Sequence, residues 1–450
     1  MAASIRRTLD DGPMNRFQWT AIGVCVFLNI LDGFDVLVMA FTGSSVAAEW
    51  DLSGSQLGML LSAGLVGMAI GAITLGPWAD RIGRRKVILG CLVVNSVMMT
   101  LSAASQTAMQ LGVLRVITGI TIGGILASSN VIAAEYASRR WRGLAVSLNS
   151  SGYAIGATLG GLLSAVLIDS YGWRSVFLAG GVITAATIPV VLARLPESMD
   201  FLLSKQPARA LERVNTLLAR LGQPSISAIP SSDTAMPEKA GGRYRYLLTP
   251  GTRRPTIVLW SSFFLVMAGF YFVTSWTPSL LVDAGLSESD GITGGTVLNL
   301  GGIFGAAILG LCAARFALRN VLITYMLATA VLLAAFIAST SVLALAFTVG
   351  GVIGLFANGC IAGLYALAPT LYDPSIRATG VGTALAVGRI GAIVAPTAAG
   401  ALLDFGLRPE QLYVGTGVIF VATAVILTVL PKLAGSTTDA PESEAAGSRR

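Results

Sequence analysis

Residues 76–85 read GPWADRIGRR: one aspartate, Asp80, and three arginines, Arg81, Arg84 and Arg85, with Lys86 next in line. Apolar runs flank them, at about 54–78 and 86–105. Each run is long enough to cross a bilayer as a helix. Gly83 suits the tight turn that such a connection needs. The stretch therefore reads as a short, basic turn on one membrane face. Asp80 can pair there with an arginine of a neighbouring connection, such as Arg142, and Gly76 opens the stretch.

The rest of the chain fits that reading. Of its 450 residues 54% are hydrophobic and only 12% are charged, against roughly 25% charged in a soluble globular protein. Twelve spanning runs follow one another, at about 17–43, 54–78, 86–105, 109–135, 143–168, 174–195, 256–282, 291–314, 320–339, 341–366, 377–403 and 411–431. With both termini on one face and the connections alternating sides, 26 of the 30 Lys and Arg fall on that face or at its helix ends. Arg174 and Arg408 lie on the other face, and Arg115 and Arg389 lie within helices. The positive-inside rule makes the crowded face cytoplasmic. The net charge of +7 thus reports orientation and contact with anionic lipid rather than a nucleic-acid partner. The first run is too long and too acidic for a cleaved signal peptide.

The expected fold is an all-α membrane protein of twelve transmembrane helices in two six-helix bundles. A cytoplasmic segment (1–16) precedes the first bundle (17–195). A polar stretch (196–253) leads to the second bundle (254–431) and a cytoplasmic tail (432–450). Within the polar stretch, PARALERVNTLLARLG carries Leu211, Val214, Leu217, Leu218 and Leu221 near helical spacing, which predicts a short amphipathic helix. The following QPSISAIPSSDTAMPEKAGG reads as a linker. The bundles share a register: Arg142, Gly156 and Asp169 become Arg377, Gly391 and Asp404 on adding 235. Related halves around a midplane site are a recurring transporter plan. The four cysteines lie in apolar runs without CxxC spacing, and histidine is absent. No disulfide framework, metal cluster or nucleophile–base set is expected, hence neither an enzyme nor a cofactor.

The chemistry lies in charges placed within apolar runs. LNILDGFDVLVMAF (28–41) holds Asp32 and Asp35 about halfway along the first run. An Asp at a helix centre costs ~2.5–3.5 kcal/mol on insertion scales. Three residues apart, the two share a helix face, which must look into a cavity or at a cation. Such a pair suits binding and releasing a proton; the bland alternative is an aspartate satisfied by a cation or by Asn29. Arg389, in LAVGRIGAIVAP (385–396), stays charged and can take a carboxylate bidentately, from a substrate or from one of these aspartates. Arg115, in RVITGITIGG (115–124), either snorkels to the outer face or joins the site. Glu135 lies ~30 Å from Arg115 along the same helix, which assigns it to the inner charge network. Phe34, Phe270, Tyr271, Trp276, Tyr153, Phe356 and Tyr365 crowd near these charges, with Asn299 and Asn358. The glycines at 152, 156 and 160 permit close helix packing.

GPWADRIGRR resembles the signature G-x-x-x-D-R-x-G-R-R of the major facilitator superfamily, met at Gly76, Asp80, Arg81, Gly83, Arg84 and Arg85. With D-G-x-D at Asp32, Gly33 and Asp35, the chain looks like that superfamily's aromatic acid:proton symporter family. The resemblance implies uptake of a small benzoate-type carboxylate across a bacterial inner membrane, driven by the proton gradient through alternating access. It implies proton-coupling roles for Asp32 and Asp35, and a substrate site at Arg389 and Arg115. Phe34, Tyr271, Asn299 and Asn358 are the residues expected to complete that site. Gating is expected from the signature residues with Glu135 and Arg142. Such a fold can work as a monomer. A proton-coupled exporter, or a carrier of another organic anion, would use the same charges.

Overall fold

The computed structural model describes residues 12–229, 244–339, 342–373 and 376–430. Most of segment 1–16, much of the expected linker and the tail 432–450 lie outside the described residues. The first bundle comprises α1 (Arg16–Trp50), α2 (Gly54–Ile82), α3 (Arg84–Ala103), α4 (Ala108–Tyr136), α5 (Arg142–Tyr171) and α6 (Arg174–Arg194). Short helices α7 (Met199–Lys205), α8 (Ala210–Arg220) and α9 (Tyr244–Leu247) follow. The second bundle comprises α10 (Arg253–Asp283), α11 (Glu288–Ala313), α12 (Leu318–Ser339), α13 (Leu343–Leu367), α14 (Arg377–Asp404) and α15 (Pro409–Thr428). Twelve of these helices are long and apolar enough to cross a membrane. The chain is a multi-pass membrane protein.

Two elements differ from the sequence-based boundaries. The basic stretch is not a loop: α2 runs on through Pro77 and Asp80 to Ile82, and α3 starts at Arg84. Gly83 alone makes the turn, at φ +110°, a conformation that a side chain disfavours. A Cβ there would also lie 2.6 Å from the Glu197 carboxylate. The first helix continues seven residues past its apolar run to Trp50. Ala47, Ala48 and Glu49 are good helix formers. They carry the backbone bonds onward until Asp51 turns left-handed at φ 49°.

The shared register reappears in the packing. A Cβ on Gly156 of α5 would overlap the Ile30 carbonyl of α1, and one on Gly391 of α14 would overlap the Phe264 carbonyl of α10. Close approach of helix backbones at small residues is how membrane helices gain packing energy without a hydrophobic driving force. Hydrogen bonds between the bundles gather at one end, that of Trp50 and Asp404. Ser62 Oγ donates to the Ile393 carbonyl (2.8 Å) and Thr397 Oγ1 to Ser62 Oγ (2.9 Å). Gly54 N and Ser55 N, at the start of α2, donate to the two Asp404 carboxylate oxygens at 2.7 and 2.9 Å. Ser45 donates to Glu288 in a further bond between the bundles.

Candidate functional site

Asp35 is fully partnered. Arg115 Nη1 donates to its Oδ1 at 2.8 Å and Asn95 Nδ2 to its Oδ2 at 2.7 Å. Thr121 Oγ1 in turn donates to Asn95 Oδ1 (3.1 Å). Arg115 also reaches Ser102 Oγ (3.3 Å), and its guanidinium lies 5.0 Å from the Phe177 ring centroid. The arginine is 2% exposed. This burial corrects the snorkelling alternative: here Arg115 is the buried counter-ion of Asp35. A cavity of about 10 Å³ lies beside the pair, bordered by Val36, Met68 and Ile122, room for roughly one water.

Asp32 differs. It is 4% exposed, and its Oδ2 is buried without a hydrogen-bond partner. Asn29, the partner considered for it, instead donates to Asn149 Oδ1 (2.9 Å) and Ser129 Oγ (3.2 Å). An unpartnered buried oxygen is costly unless the carboxyl exchanges a proton or meets a ligand. Asp32 and Asp35 thus share a helix face but not an environment.

Arg389 lies in the second bundle, half-buried. Among the described residues no carboxylate pairs with it; Asp35 is taken by Arg115. Two phenols lie within electrostatic reach of it instead. Tyr153 of α5 lies beside both Arg389 and the Tyr271 hydroxyl, and Tyr365 of α13 also lies near Arg389. Packing agrees with this placement. Gly388 abuts Phe263, and Phe263 meets Tyr365 edge-on at 5.7 Å. Tyr271 and Ile393, the latter one turn beyond Arg389, pack with Val36 against Leu65, Met68 and Ile122 of the first bundle. A Cβ on Gly33, between the aspartates, would overlap the Tyr153 carbonyl. The backbone carrying Asp32 is therefore in contact with a residue that neighbours Arg389.

Three other residues expected to contact substrate are held by packing or by hydrogen bonds to backbone. Phe34 is buried against Gly160 and Gly180, so its ring fills a helix interface. Asn299 is buried and donates to the Gly295 carbonyl of its own helix (2.8 Å). Asn358 donates to the Gly302 carbonyl (2.8 Å), tying α13 to α11. One amide bonds its own helix and the other a neighbouring helix, which spacing alone does not reveal.

At the opposite end from the inter-bundle contacts, Asp80 pairs with Arg84 of its own stretch (2.9 Å). Arg84 also pairs with Glu135, which accepts from Ser198 Oγ (3.0 Å). Arg85 N donates to the Glu197 carboxylate (3.0 Å) and Arg85 Nη2 to the Leu192 carbonyl. Arg142 Nε donates to the Ala134 carbonyl (3.2 Å). Arg81 is exposed, and a Cβ at Gly76 would make only ordinary contact. Glu197 and Ser198 were not legible as network members, although PES directly after a spanning run marked the place. Asn95 carried no signal beyond being polar in an apolar helix.

Two related helical bundles that meet at one end, with charges buried within the spans, are the plan of a solute carrier. The chain belongs to the Major Facilitator Superfamily, whose model matches residues 22–317. It is 34% identical to a gallate transporter of Pseudomonas putida over 94% of both chains. It is 30% identical to the 4-hydroxybenzoate transporter PcaK of the same species, over 90% of this chain and 91% of that one. Among solved structures, the xylose transporter XylE from E. coli in a partially occluded inward-open conformation shares the fold. Its TM-score is 0.73 at 18% identity, covering 94% of this chain and 100% of that chain.

Proposed function

We propose that this chain takes up a small aromatic carboxylate with a proton across a bacterial inner membrane, its termini cytoplasmic. The observation that carries the reading is the division of charges. Asp35 is neutralised by Arg115, while Asp32 keeps an unpartnered buried oxygen and Arg389 has no acidic partner among the described residues. The curated relatives that carry gallate and 4-hydroxybenzoate supply the substrate class.

Asp32 takes a proton while the site opens outward, and the anion then settles on Arg389. An ionised Asp32 repels an anion that shares the site, more strongly in the protein interior than in water. Protonating Asp32 therefore favours anion binding. In this orientation the inter-bundle contacts at Asp404, Ser62 and Glu288 close the outer side. The bundles rock, and proton and anion leave on the cytoplasmic side.

The test is uptake of labelled gallate, 4-hydroxybenzoate and benzoate into proteoliposomes, with and without an inside-alkaline gradient. Accumulation of at least one acid, abolished by a protonophore, is expected. Equal uptake with and without the gradient would remove the proton coupling, and failure to carry any of the acids would remove the substrate class.

A further inference from the structure

Two phenols within electrostatic reach of Arg389, and a third that neighbours both, come from different helices and both bundles: Tyr153 from α5 and Tyr365 from α13, with Tyr271 from α10. Tyr365 is 44% exposed, yet it neighbours Arg389 and packs on Phe263. Arg389 in turn neighbours Tyr153 of the opposite bundle. A carboxylate needs only donors, and the guanidinium supplies them in a planar fork. Phenols offer both a donor and an acceptor. When one of the adjacent Tyr153 and Tyr271 hydroxyls donates to the other, the pair still has one free hydrogen and free lone pairs. That set complements a hydroxyl on the substrate ring rather than a second carboxylate.

We propose that Tyr153, Tyr271 and Tyr365 determine specificity: they select aromatic acids that carry ring hydroxyls over acids that carry none. The inference rests on the aromatic-acid reading above. A site built to hydrogen-bond a substrate hydroxyl discriminates against the analogue that lacks it, because its polar groups are left unpaired. Gly33 against the Tyr153 carbonyl fixes where this phenol stands relative to α1.

The experiment compares gallate, 4-hydroxybenzoate and benzoate as competitors for uptake in proteoliposomes holding wild type, Tyr153→Phe, Tyr271→Phe or Tyr365→Phe. Phenylalanine keeps the ring and removes only the hydroxyl. Wild type is expected to prefer the hydroxylated acids. Each variant should weaken them about two- to tenfold, the range for one lost hydrogen bond, while benzoate changes by less than about twofold. Equal weakening of all three acids would assign the phenols to the carboxylate or to folding and overturn the proposal. An unchanged preference would overturn it too. If Tyr153→Phe folds poorly, Tyr365→Phe, with its exposed ring, carries the same comparison. A wild type that carries none of the acids would instead sink the aromatic-acid reading, and this inference with it.

Discussion

Asp32 and Asp35 are one helical turn apart, and their surroundings assign them different work. Asp35 balances a buried guanidinium. Asp35→Asn strands Arg115 as an uncompensated charge, at a cost of about 3–5 kcal/mol. Thermal melting in detergent should show a large loss for Asp35→Asn and partial recovery when Arg115→Met is added. A single variant as stable as wild type would show that the pair contributes little. Asp32→Asn removes no hydrogen bond from Oδ2, so the variant should fold normally. It should lose gradient-driven accumulation while still exchanging labelled for unlabelled substrate across the membrane. Gradient-driven accumulation surviving at wild-type level would place the coupling proton on another group. That acids sit in the first span was legible in DGFD. Which of them is already neutralised was not, because Arg115 lies 80 residues away and only helix packing brings it there.

Among the helices, glycine spacing on α5 was readable and its partner was not. Gly156 faces Ile30, and Gly33 of α1 faces Tyr153 in return. Gly156→Leu should force α1 and α5 apart, lowering both the melting temperature and uptake; a variant that transports normally would show that the interface tolerates separation. The basic stretch depends on one residue. At Gly83 the backbone is left-handed and Glu197 stands 2.6 Å from where a Cβ would lie. Gly83→Ala should cost on the order of 1–3 kcal/mol in conformation alone, measured by thermal unfolding. No detectable change in that measurement would mean that the turn relaxes freely. The amphipathic pattern of 207–222 was also legible, and α8 buries Val214, Leu217 and Leu218.

Across the whole molecule, closure at the Trp50 end relies on a carboxylate bridging bundles. Asp404 accepts from the first two backbone N–H groups of α2, where the helix dipole favours negative charge. Asp404→Ala should weaken this closure and shift the population toward opening on that side. A cysteine placed at Ser62, in a background free of native cysteines, should then label faster with a membrane-impermeant thiol reagent. Unchanged labelling would mean that the other contacts suffice. The duplicated register of Asp169 and Asp404 was visible, but the docking of Asp404 on α2 was not, since that contact joins residues 350 apart.

Hydropathy and charge placement are local properties of a chain in lipid. The twelve spans, the two-bundle plan and the set of charges available for chemistry could therefore be read from the order of residues. Which charges neutralise one another could not. Helix rotation and crossing bring Arg115 to Asp35, leave Arg389 among phenols and set Asp32 apart. Burial makes the worth of an ionic group depend on the partner facing it, and facing is fixed by packing rather than by position along the chain.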